Sequence, residues 1–172
     1  KKEVIDFVKG QDDIENKKIR FIGEAHERIK EDHLRILRAI RFKNNFGFEY
    51  GSRTKKALEE LYHLVDDLTK ERVQDELTKI LLHHRRAHSM RELDEFEIME
   101  RILPELSACK GVNQPTEFHQ EGGVLVHVLK SLHDMPDEWV TKELVWAILL
   151  HDIGKPDTYE EKPDRIHFDG HA

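Results

Sequence analysis

Between Arg28 and Phe42 the run RIKEDHLRILRAIRF sets apolar and charged residues on opposite sides of a helix. At about 100° per residue, Ile29, Ile36, Leu37 and Ile40 share one side, while Arg28, Glu31, Asp32, Arg35 and Arg38 share the other. The helical period continues from Glu24 almost to the end, and it predicts helices over about 25–45, 52–64, 69–84, 88–101, 120–133 and 139–151. Asn44, Asn45 and Gly47 are placed to close the first, Ser52 to cap the second and Thr69 the third. Pro104 and the stretch with Gly111, Asn113 and Pro115 interrupt the pattern, which predicts a domain boundary near residue 114. Residues 1–23 read differently. Val4, Ile5, Phe7 and Val8, then Ile19, Phe21 and Ile22, read as two short strands around a polar turn or short helical turn near 11–17. The expected fold is mainly α after a short β segment.

Composition narrows the class. The chain has 172 residues, 38% hydrophobic and 37% charged, as a globular rather than a disordered protein has. Its longest apolar stretch, Leu144 to Leu150, is too short to span a bilayer. No signal-peptide features are visible, and the single Cys109 excludes an intrachain disulfide framework, so a cytoplasmic setting without membrane attachment is the default expectation. Cys109 reads as a small, partly buried residue near a turn. A formal net charge of −7 argues against a uniformly basic nucleic-acid binder. Cationic clusters at Arg35, Arg38, Arg41 and Lys43, and at Arg85 and Arg86, are still suited to meeting a phosphate backbone locally. For Arg85 and Arg86 a solvated helix face is the preferred reading.

The charged side of the first helix has a specific chemistry. Cytosine and adenine each present an exocyclic amine donor beside a ring-nitrogen acceptor, and uracil and guanine present the reverse. An Asp acceptor next to an Arg donor therefore matches C or A. Asp32 with Arg35 reads as a protein template for those bases. The plainer reading is an amphipathic helix with ion pairs worth about 0.2–0.5 kcal/mol each.

Arg28, Glu31, Asp32, Leu34, Arg35, Leu37, Arg38, Ala39, Arg41 and Phe42 resemble the signature of the class II tRNA nucleotidyltransferases, the CCA-adding enzymes and their bacterial poly(A) polymerase relatives. Upstream, Gly10, Asp13, Gly23 and Arg28 resemble the place where that family's catalytic head ends and its neck begins. Downstream, ERVQDELTKIL resembles a later neck motif. The resemblance implies residues 1–23 as the end of a nucleotidyltransferase head, 24–114 as a helical neck and body that selects nucleotides and binds RNA, and a fragment inactive alone. It implies attack of a tRNA 3′ hydroxyl on CTP or ATP with two Mg²⁺ held by head carboxylates, so no catalytic carboxylate is assigned here. Asp32 would accept from the base amine and Arg35 donate to the ring nitrogen. Glu31 and Arg28 would orient them, Arg38 and Arg41 would lie near triphosphate or tRNA, and Arg72 and Glu76 would brace the helix. Enzymes adding CCA, only CC, only A, or poly(A) share this motif.

A second constellation follows, in TEFHQEGGVLVHVLKSL and ELVWAILLHDIGKP. His127 sits mid-helix, and His151 and Asp152 stand together at the end of an apolar helix. Such donors suit a divalent metal that activates water for phosphoester hydrolysis. The pattern resembles the HD superfamily, which implies His127, His151 and Asp152 as metal ligands and residues 115–172 as the N-terminal part of an all-α HD domain. His119 and His171 match further histidines of HD domains attached to these nucleotidyltransferases. Asp169 falls too early to be the superfamily's last Asp, so an incomplete site is expected. A metal-dependent phosphohydrolase with an RNA-binding helical region, and a nonenzymatic RNA-binding scaffold, are the competing readings.

Among the remaining histidines, His83, His84 and His88 are read as one surface helix. Trp139 and Trp146 are read as packing residues. There is no P-loop, GxSxG elbow or CxxC pair.

Overall fold

The computed structural model describes residues 4–114, 122–163 and 166–170. It is predominantly helical, with ten α-helices and four two-residue strands among the described residues. It falls into two compact units, residues 1–76 and 77–172, and the division lies inside a helix, α5 (Lys70–Leu81).

In the first unit, α1 (Gly10–Glu15) leads into β1 (Lys18–Ile19), then α2 (Ala25–Glu31), α3 (Arg35–Phe46), β2 (Glu49–Tyr50), α4 (Ser52–Leu61), a 3-10 helix over Tyr62–Asp67 and the start of α5 (Lys70–Leu81). β1 pairs with β2 in parallel, Lys18 opposite Glu49 and Ile19 opposite Tyr50. The core is the apolar stripe expected from the sequence. Ile29, Ile36, Leu37 and Ile40 are fully buried, and Ala57, Leu58 and Val65 are buried as well.

The expected single helix over 25–45 is two helices. Asp32 adopts an extended backbone (φ −154°, ψ 103°). Its side chain accepts from Leu34 N–H at 3.3 Å and its carbonyl from Arg35 N–H at 3.1 Å. A short acidic side chain competes with the helical ladder in this way, ending α2 and opening the turn into α3. The angular argument that placed Asp32 on one face with Arg35 and Arg38 therefore stops at the break. Gly47 does close α3, in the left-handed conformation (φ +64°).

Two further expectations are corrected here. Only one of the two strands forms before Gly23, since residues 4–8 find no strand partner among the described residues and leave Val4, Ile5 and Phe7 exposed. Ser52 is the first helical residue of α4 rather than its cap; Gly51 holds that place without a side-chain bond.

The second unit continues through α6 (Arg86–Glu95), α7 (Met99–Ile102), α8 (Pro104–Ala108), α9 (Val124–Asp134), a 3-10 turn at Asp137–Trp139, α10 (Lys142–Leu150), and a hairpin of β3 (Glu160–Glu161) with β4 (Ile166–His167). Its core joins Leu77, Ile80 and Leu81 with Met90, Leu93, Met99, Val128, Leu132, Val145 and Leu149. α9 packs against both α6 and α10. The helix expected over 88–101 is broken where Glu97 takes a positive φ of 57°. Pro104, expected to end a helix, starts α8, where its missing N–H costs nothing.

Side-chain environments bring other corrections. Arg86 is not on a solvated face: it is 1% exposed. Its guanidinium donates to the carbonyls of Leu81 (3.0 Å) and Leu132 (3.2 Å), and to Asp137 (2.7 Å). It thereby satisfies orphan carbonyls near the ends of α5 and α9. Trp139 is 62% exposed rather than packed, whereas Trp146 donates its indole N–H to Thr78 Oγ1. Cys109 is fully rather than partly buried. His83 and His84 lie in the turn between α5 and α6, with ring centroids 4.1 Å apart, and not on one helix with His88. His119 and His171 lie outside the described residues. No helix among the described residues is long and apolar enough to cross a membrane.

Candidate functional site

Around the α2–α3 break, acidic and guanidinium groups interlock. Glu31, in the last turn of α2, receives Arg35 Nη1 at 2.9 Å and also pairs with Arg28. The same Arg35 nitrogen donates to the Arg28 carbonyl at 2.5 Å, one of those left unpaired as α2 ends. Asp32 instead receives Arg72 Nη2 at 2.9 Å, from α5. Farther along α3, Arg41 Nε donates at 2.5 Å to Glu76, a carboxylate 1% exposed. The two α5 residues thus meet the α2–α3 corner and α3 at separate points, and Asp32 and Arg35 are held by different partners.

These contacts fix protonation. The bond from Arg35, with that from Arg28, holds the Glu31 carboxyl below its ordinary range against a small cost of desolvation. At Asp32 partial burial favours the neutral acid. The bonds from Arg72 and the Leu34 N–H, with Arg72 and Arg35 charge nearby, outweigh it and keep the carboxyl below its ordinary range. At neutral pH both are anionic acceptors.

Beside this corner lies a cleft of about 710 Å³, whose lining includes Arg20, Arg28, Arg35, Arg38, Phe42 and Phe46. Phe42 stacks on Phe46 with centroids 5.8 Å apart and nearly parallel planes. Arg41 lies over the Phe42 ring at 4.2 Å and Arg38 at 5.8 Å. A cleft with guanidinium donors and an aromatic face can accept an anionic group at one place and a planar one at another. Asp32 is not among its lining residues. Phe42 belongs to the motif quoted from sequence but received no role there. Arg20, bound to Asp13 at 2.7 Å, received none either; only the fold brings β1 to α3.

The second constellation converges in the second unit. His127 projects from the middle of α9, and His151 and Asp152 follow the last turn of α10. One donor atom from each lies within 4.8 Å of the others. His151 Nδ1 is 2.8 Å from the Ile148 carbonyl. A carbonyl only accepts, so Nδ1 carries the hydrogen, and in the neutral imidazole Nε2 presents the lone pair. That Nε2 faces Asp152 Oδ2 at 3.2 Å, with His127 Nε2 at 3.9 Å from the same oxygen. A lone pair aimed at a carboxylate repels it unless a proton or a metal ion sits between them. The back-side carbonyl bond is also the usual support of a metal-bound imidazole. The three residues therefore fit a divalent cation. Lys155, quoted from sequence without a role, and Gln114, not singled out, complete the group. Asp152 Oδ2 accepts from Lys155 Nζ at 2.8 Å, and Gln114 Oε1 accepts from the same nitrogen at 2.6 Å.

Comparison with known proteins agrees with this architecture. Residues 47–110 match a family described as the probable RNA and SrmB-binding site of polymerase A. The chain is 35% identical over 158 residues to the multifunctional CCA protein of Aromatoleum aromaticum, covering 90% of this chain and 38% of that one. It is 32% identical over 170 residues to that of Acinetobacter baumannii, with 95% and 40% covered. Among solved structures, the CCA-adding enzyme of Bacillus stearothermophilus in complex with CTP superposes with a TM-score of 0.65 at 25% identity, over 88% of this chain and 35% of that one. A tRNA nucleotidyltransferase complexed with a primer tRNA and an incoming ATP analog shares the fold, with a TM-score of 0.58 at 23% identity over 85% and 42%. The chain spans about 40% of the length of the relatives it matches. Over that span its sequence is similar to multifunctional CCA proteins and its fold to CCA-adding enzymes.

Proposed function

We propose that this chain is the nucleotide-selecting and RNA-binding part of a tRNA nucleotidyltransferase that adds C and A to tRNA 3′ ends from CTP and ATP. The observation that carries this reading is the immobilised corner of α2 and α3. Asp32 is anionic and tied to Arg72, while Arg35 is tied to Glu31 and the Arg28 carbonyl at the edge of a cleft rich in arginine. Acceptor and donor held by separate braces keep their places before a base arrives, and so the ordering cost of recognition is reduced. In this reading Asp32 accepts from the exocyclic amine and Arg35 donates to the ring nitrogen. Arg38 meets phosphate or tRNA. Glu31, Arg28, Arg72 and Glu76 position these groups, and Arg41, held by Glu76, contributes charge at the same end. No residue of this chain is assigned to the Mg²⁺ ions of nucleotidyl transfer.

The test is incorporation of each of the four nucleotides onto tRNA lacking its end, by the full-length protein. Asp32→Ala is expected to erase the preference for C and A over U and G, and Arg35→Ala to cost about 1–3 kcal/mol of discrimination. Retained preference in Asp32→Ala rules the template out.

The convergence of His127, His151 and Asp152 favours a second activity within the same protein. Residues 115–172 are assigned to an HD-type domain whose three side chains hold a divalent metal, which supplies Lewis acidity and activated water for phosphoester hydrolysis. This division follows motif; the packing division falls earlier, inside α5. His151→Ala is expected to abolish Mn²⁺- or Ni²⁺-dependent phosphatase turnover while leaving nucleotide addition in place.

A further inference from the structure

Arg35, Arg38, Phe42 and Phe46 follow one another along α3 at intervals of three, four and four residues. They therefore fall on one side of the helix, and all four line the same cleft. The two arginines have roles at the Asp32 end, while no role has yet fallen to the phenyl rings. Phe46 is the last residue of α3 and is 59% exposed. Its ring is nonetheless held. Phe42 stacks on it with centroids 5.8 Å apart and planes 3° from parallel, and beyond the turn at Gly47 the Phe48 ring lies 5.6 Å away. Phe42 in turn carries the Arg41 guanidinium at 4.2 Å from its centre, which the buried Glu76 fixes through Nε at 2.5 Å. A single exposed phenyl ring is ordinary. One immobilised by two neighbouring rings at the rim of a cleft presents a flat apolar surface with little side-chain entropy left to lose.

The charge around that surface decides what it suits. Among the described residues the cleft is lined by Lys18, Arg20, Arg28, Arg35 and Arg38 against one carboxylate, Asp13, which is bound to Arg20. Arg38 makes no ion pair among the described residues and lies 5.8 Å from the Phe42 ring centre. An apolar protein side chain would gain nothing from these cations. A nucleobase with its phosphate uses both the ring and the guanidinium, and cations set among aromatic rings are how single-stranded nucleic acid is bound without being read. Distance separates this end from base selection. Arg35 opens α3 and Phe46 closes it, about 16 Å apart along the axis. One base cannot lie at both places.

We propose that Phe46, backed by Phe42, is a stacking platform for a base of the single-stranded 3′ end of the acceptor RNA. It sets the affinity for the acceptor, while Asp32 and Arg35 set the choice of incoming base. Such a contact tolerates any sequence, because every base has a π face. This inference rests on the reading of the chain as the RNA-binding part of a nucleotidyltransferase.

The test measures two quantities on the full-length protein at one fixed salt concentration: the Kd for tRNA one nucleotide short of its complete end, and the KM for ATP with that tRNA saturating. Phe46→Leu keeps the position apolar and removes the flat face. It is expected to bind the tRNA about tenfold more weakly and to leave the KM for ATP unchanged. Phe46→Trp keeps a face and is expected to bind the tRNA at least as tightly as the unaltered protein. Replacing each of the last three nucleotides of the tRNA in turn by an abasic one then identifies the stacked base. At one of them the loss in Phe46→Leu is expected to vanish, because ring and base no longer meet. A loss that persists with all three makes Phe46 a packing residue and overturns the platform. Unchanged tRNA binding in Phe46→Leu, or an equal loss in Phe46→Trp, overturns it too. In each of these cases addition of A to the tRNA by the unaltered protein leaves the nucleotidyltransferase reading in place, and failure of that addition overturns both.

Discussion

Arg35 in the first unit and Arg86 in the second carry the same side chain to opposite ends. Arg86 is 1% exposed and points its donors at backbone carbonyls and one aspartate, so its fork is consumed by the fold. Arg35 directs a single nitrogen at Glu31 and at the Arg28 carbonyl, and its side chain is 25% exposed beside the cleft. One guanidinium closes helix ends, and the other is aimed by a carboxylate and lines a space large enough for a ligand. A cationic residue in this chain therefore declares its role by what holds it. Carbonyl acceptors in the interior signify architecture, and a carboxylate brace beside a cleft signifies presentation.

Three substitutions bear on that contrast. The largest effect is expected from Arg86→Met, which strands the Leu81 and Leu132 carbonyls and should cost about 3 kcal/mol in urea unfolding. A cost below about 1 kcal/mol would break the distinction. Arg41→Met is expected to cost somewhat less, about 2 kcal/mol, because it removes the bond from Arg41 Nε to the buried Glu76 carboxylate. The smallest effect belongs to Arg72→Ala, under about 1 kcal/mol for a half-exposed pair. Its signature is protonic. Asp32 is held below its ordinary range, so its contribution is present at neutral pH and is lost as the pH falls through the depressed value. Without Arg72 that loss is expected to begin at a higher pH, as carboxyl chemical shifts would report.

Much of this was legible beforehand. Periodicity placed α4, α5, α9 and α10 to within a few residues, because apolar residues at helical spacing have one way to be buried together. The convergence of His127 with His151 and Asp152 followed from a motif specific enough to imply a helix pair. Other features were not legible for identifiable reasons. The break at Asp32 was hidden because the apolar stripe resumes in phase at Ile36, although an Asp two residues before an N–H it can accept from is itself a turn signal. Arg86 looked like its neighbour Arg85, since adjacency says nothing about which side chain turns inward. Lys155 stood in plain view within LLHDIGKP, but its bond to Gln114 joins positions 41 residues apart. The cleft beside α3 depends on β1 pairing with β2, a parallel contact across some thirty residues that no local pattern encodes.

Cys109 lies close to the second constellation, its Sγ 3.8 Å from the Asp152 carbonyl. Burial, with a smaller contribution from the Asp152 charge, pushes its thiol up to about 11. Its sulfur is not among the donor atoms that converge at His127, His151 and Asp152. The neighbouring cluster presents only nitrogen and oxygen donors. Ions that depend on sulfur for tight capture, such as monovalent copper, gain no advantage over the borderline divalent metals in that corner.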